Sequence, residues 1–390
     1  MTIYPTTDFV KTYLSKNNDF IDYIGFVFLL LTVFSIPLSI FATEVFFVFF
    51  FFSFMLCKRY LFIRHTKLNY TVAALILISI VSLSLHQSAH ALFDFKQSMY
   101  VAISPIISAY SFNQRRYILL LRAFIVGMLT NLAFGILDAF GVDAINTHGQ
   151  GNIGVISFHI YSSMLISMAI LLLLLDFFYK RIVPSYKIRT LSIIGLSWQL
   201  FTTTGRTGQG ILVILSALIV YWYAGKIKYL LFSLIPILTA SILYVSSESM
   251  KMWVAAYSQI HETITAGYHN SDIGLRFLFT KSGIMMLISH PFFGVGIGQF
   301  RKTFYRMISE DKIPHIPADY HYLVGPTSSY IAYISEFGLA GLIALVLLFY
   351  ASFDKIMRTS SKDIEHIGIL FLLWFFIGRA VSSLKCNTRM

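Results

Sequence analysis

From Gly154 to Arg181 the chain reads GVISFHIYSSMLISMAILLLLLDFFYKR. The run 154–178 is long enough to carry a helix across a bilayer, which takes ~20 apolar residues, and two cations, Lys180 and Arg181, close it. The same unit, an apolar run ended by a short basic cluster, recurs along the chain. It predicts spans at 22–40, 42–57, 69–86, 97–113, 117–140, 154–178, 188–203, 208–224, 228–245, 327–352 and 366–384. Composition points the same way: 57% of the 390 residues are hydrophobic, 12% are charged, and the mean hydropathy is +0.72. A soluble domain could not keep that much apolar surface covered. The expected fold class is an all-α, polytopic integral membrane protein with about 11–12 transmembrane helices.

Charge sorts the loops. Lys58, Arg59, Arg64 and Lys67 share one; Arg115 and Arg116 the next basic one; then Lys180, Arg181, Lys187 and Arg189; then Lys226 and Lys228; then Lys355, Arg358 and Lys362. Every second loop is basic, so the positive-inside rule puts these loops and the N-terminus in the cytoplasm. Loops 87–96, 141–153, 204–207 and 246–326 then lie on the opposite face. Three regions follow: a helix bundle over 1–245, a large periplasmic loop with helical segments over 246–326, and C-terminal transmembrane helices over 327–390. An odd number of spans would leave Lys385 and Arg389 outside, against the rule. A hidden span over 276–289, or a different division of 22–57, would remove the conflict. The Phe-rich run Phe46–Phe54 reads as lipid-facing bulk.

Several function classes drop out. The +12 formal charge is spread over short loops and forms no basic stripe, so no nucleic-acid partner is expected. Cys57 and Cys386 make neither a disulfide framework nor a cysteine metal site. The first apolar run comes too late and too uninterrupted for a cleaved signal sequence, and no nucleotide-binding GxxxxGK[ST] occurs. His86, His90 and Asp94 would share one helix face and mimic metal ligands, but an interfacial amphipathic helix explains the same spacing. No metal or other cofactor is assigned.

The 246–326 stretch, rich in Arg, His and Tyr, is where chemistry is expected. Arg276 opens a run to Ser289; His290 and Pro291 then lead into Gly294, Gly296 and Gly298. Pro291 bars further helix, and the glycines allow a close backbone approach. Arg301, Lys302, Tyr305 and Arg306 follow, then Asp319, Tyr320, His321 and Tyr322, and after Pro326 a segment running to Glu336 and Leu342.

The order of an Arg before a helix, HPxxGxGxxxF from His290 to Phe300, Pro326-x-x-x-Tyr330-Ile331, and ExGLxGL from Glu336 to Leu342 resembles the O-antigen ligase and O-antigen polymerase superfamily. Upstream, Gly205-Arg206 resembles the Gly-Arg motif that these proteins carry between two spans. The resemblance implies a GT-C-like glycosyltransferase of the bacterial inner membrane. It implies an undecaprenyl-diphosphate-linked oligosaccharide as donor, a periplasmic active site and, for a polymerase, a chain-length regulator as partner. Negative charge develops on the departing diphosphate, and guanidinium groups can bind it bidentately. Arg206 and Arg276 fit that role, although an Arg snorkelling to lipid headgroups has the same pattern. Arg301, Arg306, Tyr305, Tyr322 and His290 are candidate substrate contacts, His290 being equally suited to ending the helix. Ligases carry a His-Asn pair about nine residues before the ExGLxGL glutamate; Thr327 and Ser328 stand here. Thr is unsuited to general-base work near neutrality, so the departure favours the polymerase branch, with His321 as the candidate base and His315 and Asp319 nearby. Glycan ligation to lipid A core or protein, and a polysaccharide-lipid flippase, remain the alternatives.

Overall fold

The computed structural model describes residues 7–57, 66–85, 91–92, 95, 103, 106, 114–141, 159–203, 205–223, 261, 272–315, 328–358 and 362–381. Among these the chain is helical, without a strand: α1 (Thr7–Ser35), α2 (Ile40–Leu56), α3 (Lys67–Leu85), α4 (Gln114–Ala139), α5 (His159–Tyr179), α6 (Tyr186–Thr202), α7 (Arg206–Tyr223), α8 (Asp272–Ser289), α9 (Phe300–Ser309), α10 (Ser329–Met357) and α11 (Lys362–Val381). Helices α3, α4, α5 and α10 carry stretches long and apolar enough to cross a membrane. The chain is an all-α membrane protein. Its contacts form two units, the first built from 1–64, 106–212 and 216–240, the second from 65–105, 213–215 and 241–390.

In the first unit α1 packs on α2 and α4, and α4 and α6 flank α5. Of the apolar window of α5, 83% is buried, as suits a helix that is hydrophobic all round. In lipid, helix association rests on close packing instead of water expulsion. Small residues supply it: Gly127 meets the Phe34 carbonyl, and Gly195 receives the Leu132 side chain. The expected span over 22–40 forms as far as Ser35. Helix α1 ends at Ser35, because Pro37 has no N–H and disfavours helix in the residue before it. Ser39 then caps α2, its Oγ accepting from the Ala42 N–H at 3.2 Å. The Phe46–Phe54 run is likewise not all lipid-facing. Phe50 and Phe54 are buried against Phe26 and Leu29, while Phe49 and Phe52 are exposed. The expected span 228–245 lies outside the described residues, as does 97–113 apart from positions 103 and 106.

In the second unit α10 contacts α3, α8, α9 and α11. The expected continuous span over 327–352 is broken at Gly338, which has φ 63° and ψ −150°. Tyr330 donates its hydroxyl to the Phe376 carbonyl at 2.8 Å, its ring 5.3 Å from that of Phe376, and the Phe349 ring is 4.7 Å from the same Phe376. A straight helix would set residues 330 and 349 about 28 Å apart. Helix α10 therefore folds back at Gly338, and Leu339–Met357, about 28 Å long by itself, is the membrane-length part. The expected hidden element over 276–289 exists as α8, although three charged residues keep it from being apolar enough to count as a span by composition. Helices α8 and α9 share a core of their own, including Leu278, Phe279, Phe300 and Phe304.

Candidate active site

Breaking α10 at Gly338 frees four backbone groups that a helix would pair with each other. They are the carbonyls of Ser335 and Glu336 and the N–H groups of Leu339 and Ala340. The turn after α8 takes all four. Val295 N–H donates to the Ser335 carbonyl (2.9 Å) and Gly296 N–H to the Glu336 carbonyl (3.1 Å). In return Leu339 N–H donates to the Pro291 carbonyl (2.8 Å) and Ala340 N–H to the Phe292 carbonyl (3.2 Å). The HPxxGxGxxxF and ExGLxGL motifs are thus two halves of one junction. Two glycines make it possible. A Cβ on Gly294 (φ 67°) would stand 2.5 Å from the Ser335 carbonyl oxygen, and one on Gly338 would stand 2.6 Å from the Gly294 nitrogen. Ile297 N–H donates to Ser82 Oγ of α3 at 2.9 Å, which ties the turn to a third helix. The Glu336 side chain is buried at 2% exposure.

Of the predicted residues of the second unit, His290 lies at this junction, and Arg276 stands about 20 Å from it along α8. Arg276 was expected to precede its helix; it sits inside α8, one turn from the start, and is half-buried. The prediction placed the helix start late because Asp272 and Ile273 extend the helix ahead of Gly274. His290 ends α8. Its N–H donates to the Met286 carbonyl, its carbonyl accepts from Gly294, and its exposed imidazole Nδ1 is 3.0 Å from Ser289 Oγ. In α9, Arg301 and Tyr305 are half-buried and four residues apart, on one side of the helix, whereas Lys302 and Arg306 share an exposed side. Phe304 stacks edge-on to Tyr305 at 6.0 Å. Helix α9 closes with Asp311 left-handed (φ 52°), Asp311 N–H donating to Ile308 and Lys312 N–H to Met307, a Schellman end. His315 is exposed, 3.9 Å from Asp311. His321, Tyr322, Asp319 and Thr327 lie outside the described residues, as do His86, His90 and Asp94.

The Gly-Arg motif belongs to the first unit. Arg206 was expected in a short loop, but it is the first residue of α7. The Gln209 amide ties this first turn to the end of α6: its Nε2 donates to the carbonyls of Leu200 (3.3 Å) and Thr203 (3.5 Å). Gly208 lies directly on the Ser163 backbone of α5, and its N–H donates to Ser163 Oγ at 3.3 Å. A cation in a first helical turn opposes the helix dipole at a cost of ~0.3–1 kcal/mol.

One cluster was missed in the sequence. Arg189, assigned to the cytoplasmic basic loop, is 1% exposed in α6 and pairs with Asp176 (0%) at 3.0 Å. The Asp176 carboxylate also accepts from the N–H groups of Arg181, Ile182 and Val183 at 2.8–2.9 Å, and Arg189 donates to the Val183 carbonyl. Arg122 of α4 completes the turn by donating to the carbonyls of Arg181 and Ile182. The only signal was an acid, Asp176, at the end of an otherwise uncharged span.

The stretch that holds Arg206, Arg276 and both halves of the junction matches a known family model, described as O-antigen ligase, over residues 190–346. Residues 190–346 are similar to the O-antigen ligase family domain. That domain supports membership of the O-antigen ligase and polymerase superfamily without distinguishing its branches, and members of the family are glycosyltransferase-like enzymes. No curated protein matches the chain. Within the ligase-family domain, both motifs of the resemblance are accounted for by one backbone junction.

Proposed function

We propose that the chain polymerises surface polysaccharide. A growing glycan leaves undecaprenyl diphosphate and is joined to the terminal sugar of the next lipid-linked repeat unit, at the periplasmic face of a bacterial inner membrane. The observation that carries this reading is the O-antigen ligase domain, whose bounds include Arg206, Arg276 and the paired glycine motifs. Thr327 in place of the ligase histidine favours polymerisation over ligation. In this mechanism the acceptor hydroxyl attacks the anomeric carbon of the donor sugar, the C–O bond to the diphosphate breaks, and the hydroxyl proton passes to a base, for which His321 is the candidate. Arg206 and Arg276 take up the charge on the departing diphosphate, and Arg301, Tyr305, Arg306, Tyr322 and His290 are candidate glycan contacts. A chain-length regulator would act as partner.

The family description itself names ligation, so transfer of finished glycan to lipid A core or protein is the second reading. Lysine keeps the charge of arginine but not its planar bidentate fork. Arg206→Lys and Arg276→Lys should each abolish polymer in cells that hold normal amounts of the protein. Full-length polymer from both variants would remove the guanidinium mechanism.

A further inference from the structure

We infer that the turn from His290 to Phe300 lies inside the hydrocarbon of the bilayer, with Ile288, Phe292 and Phe293 in contact with lipid acyl chains. Two helices measured from one charged end give its depth. Lys67 of α3 and Asp354 of α10 pair at 3.7 Å, with Arg358 on the same carboxylate at 3.0 Å, which marks one charged end of the unit. Along α3, Ser82 stands about 22 Å from Lys67, and along the unbroken part of α10, Leu339 stands about 22 Å from Asp354. Both helices carry stretches long and apolar enough to span. The turn is bonded to both marks, Ile297 to Ser82 and Pro291 to Leu339. The hydrocarbon is ~30 Å thick, so the turn sits about 8 Å beneath the far boundary. Tilted helices, or an ion pair placed out in the headgroups, put it deeper.

Two further observations agree with that depth. Irregular backbone is tolerated in hydrocarbon only where protein satisfies its polar groups, and the four-bond exchange with α10 does that for Pro291, Phe292, Val295 and Gly296. The exposed polar pair Ser289 and His290 bond to each other, Oγ to Nδ1 at 3.0 Å, and the large side chains left uncovered are apolar: Ile288 is 73% exposed, Phe292 70% and Phe293 65%. They continue the exposed stripe of α10 formed by Leu339, Ile343 and Val346, which faces lipid if α10 spans. The surface is therefore one acyl-chain face running across two elements, and part of the stretch read as a periplasmic loop is re-entrant. This rests on α3 and α10 crossing the membrane and not on which face is periplasmic.

The test uses the full chain with Cys57 and Cys386 replaced by Ser, bearing single Cys substitutions Ile288→Cys, Phe292→Cys, Phe293→Cys or Asp311→Cys. Each is labelled with bimane and reconstituted in phosphatidylcholine–phosphatidylglycerol vesicles. Quenching is read with acyl-chain nitroxide lipid and with iodide present on both sides. The first three positions should be quenched severalfold more by the nitroxide lipid than Asp311→Cys, and protected from iodide, while Asp311→Cys shows the reverse. The three positions are mostly exposed and have little packing to lose, and they report separately. Iodide quenching at 288, 292 and 293 equal to that at 311 would put the turn in water, and quenching by neither agent would mean that protein, such as a second copy, covers it; either result overturns the inference.

Discussion

After α5 the chain turns through 180–185 and is held by charged side chains; after α8 it turns through 290–299 and is held backbone to backbone. In the first, one carboxylate gathers three N–H groups and two arginines supply donors to the carbonyls. In the second, two glycines bring the chain close enough to exchange four hydrogen bonds with a broken helix. Both satisfy irregular backbone in an apolar protein, yet they fail differently. Side-chain clamps lose one partner at a time, whereas the glycine junction admits no Cβ and is lost as a whole.

The largest effect expected from that difference is at Gly338. Its conformation is nearly exclusive to glycine, with strain of ~1–3 kcal/mol for other residues, and the clash with Gly294 adds loss of the four hydrogen bonds at ~1 kcal/mol each. Gly338→Val should leave almost no folded chain in detergent, measured by size-exclusion profile and thermal unfolding; a normal profile would mean that the junction is dispensable. Arg189→Ala comes next. It leaves the Asp176 carboxylate buried without its cation, worth ~3–5 kcal/mol, and the double replacement of Arg189 and Asp176 by Ala should recover part of the lost thermal stability. No recovery would show that the pair is not coupled. The smallest effect is Lys67→Ala, because the Lys67 amine is mostly exposed and such pairs contribute ~0–1 kcal/mol; a large fall in thermal stability would place that ion pair in a drier setting than its exposure indicates.

Much of this was legible in sequence, for physical reasons. Apolar runs and loop charges carry the helical membrane class, since spanning length and the cost of charge in lipid leave few other solutions. The glycine motifs were legible as a place of close approach. Their partner was not, because a backbone-to-backbone exchange leaves no side-chain complementarity between Gly296 and Glu336 to read. Arg189 was misread for a related reason: a buried arginine and a loop arginine look alike until the acid thirteen residues earlier is seen to face it. Arg206 and Arg276 were found as residues but misplaced relative to their helix starts, since the helices begin at Arg206 and Asp272, earlier than the apolar runs that follow.

The central claim is polymerisation, and deletion of the gene in its host followed by gel analysis of surface polysaccharide tests it most directly. The account predicts an otherwise normal core bearing a single repeat unit, with full-length chains restored by the intact gene. Full-length glycan retained on undecaprenyl diphosphate beside a bare core would contradict it and establish ligation instead.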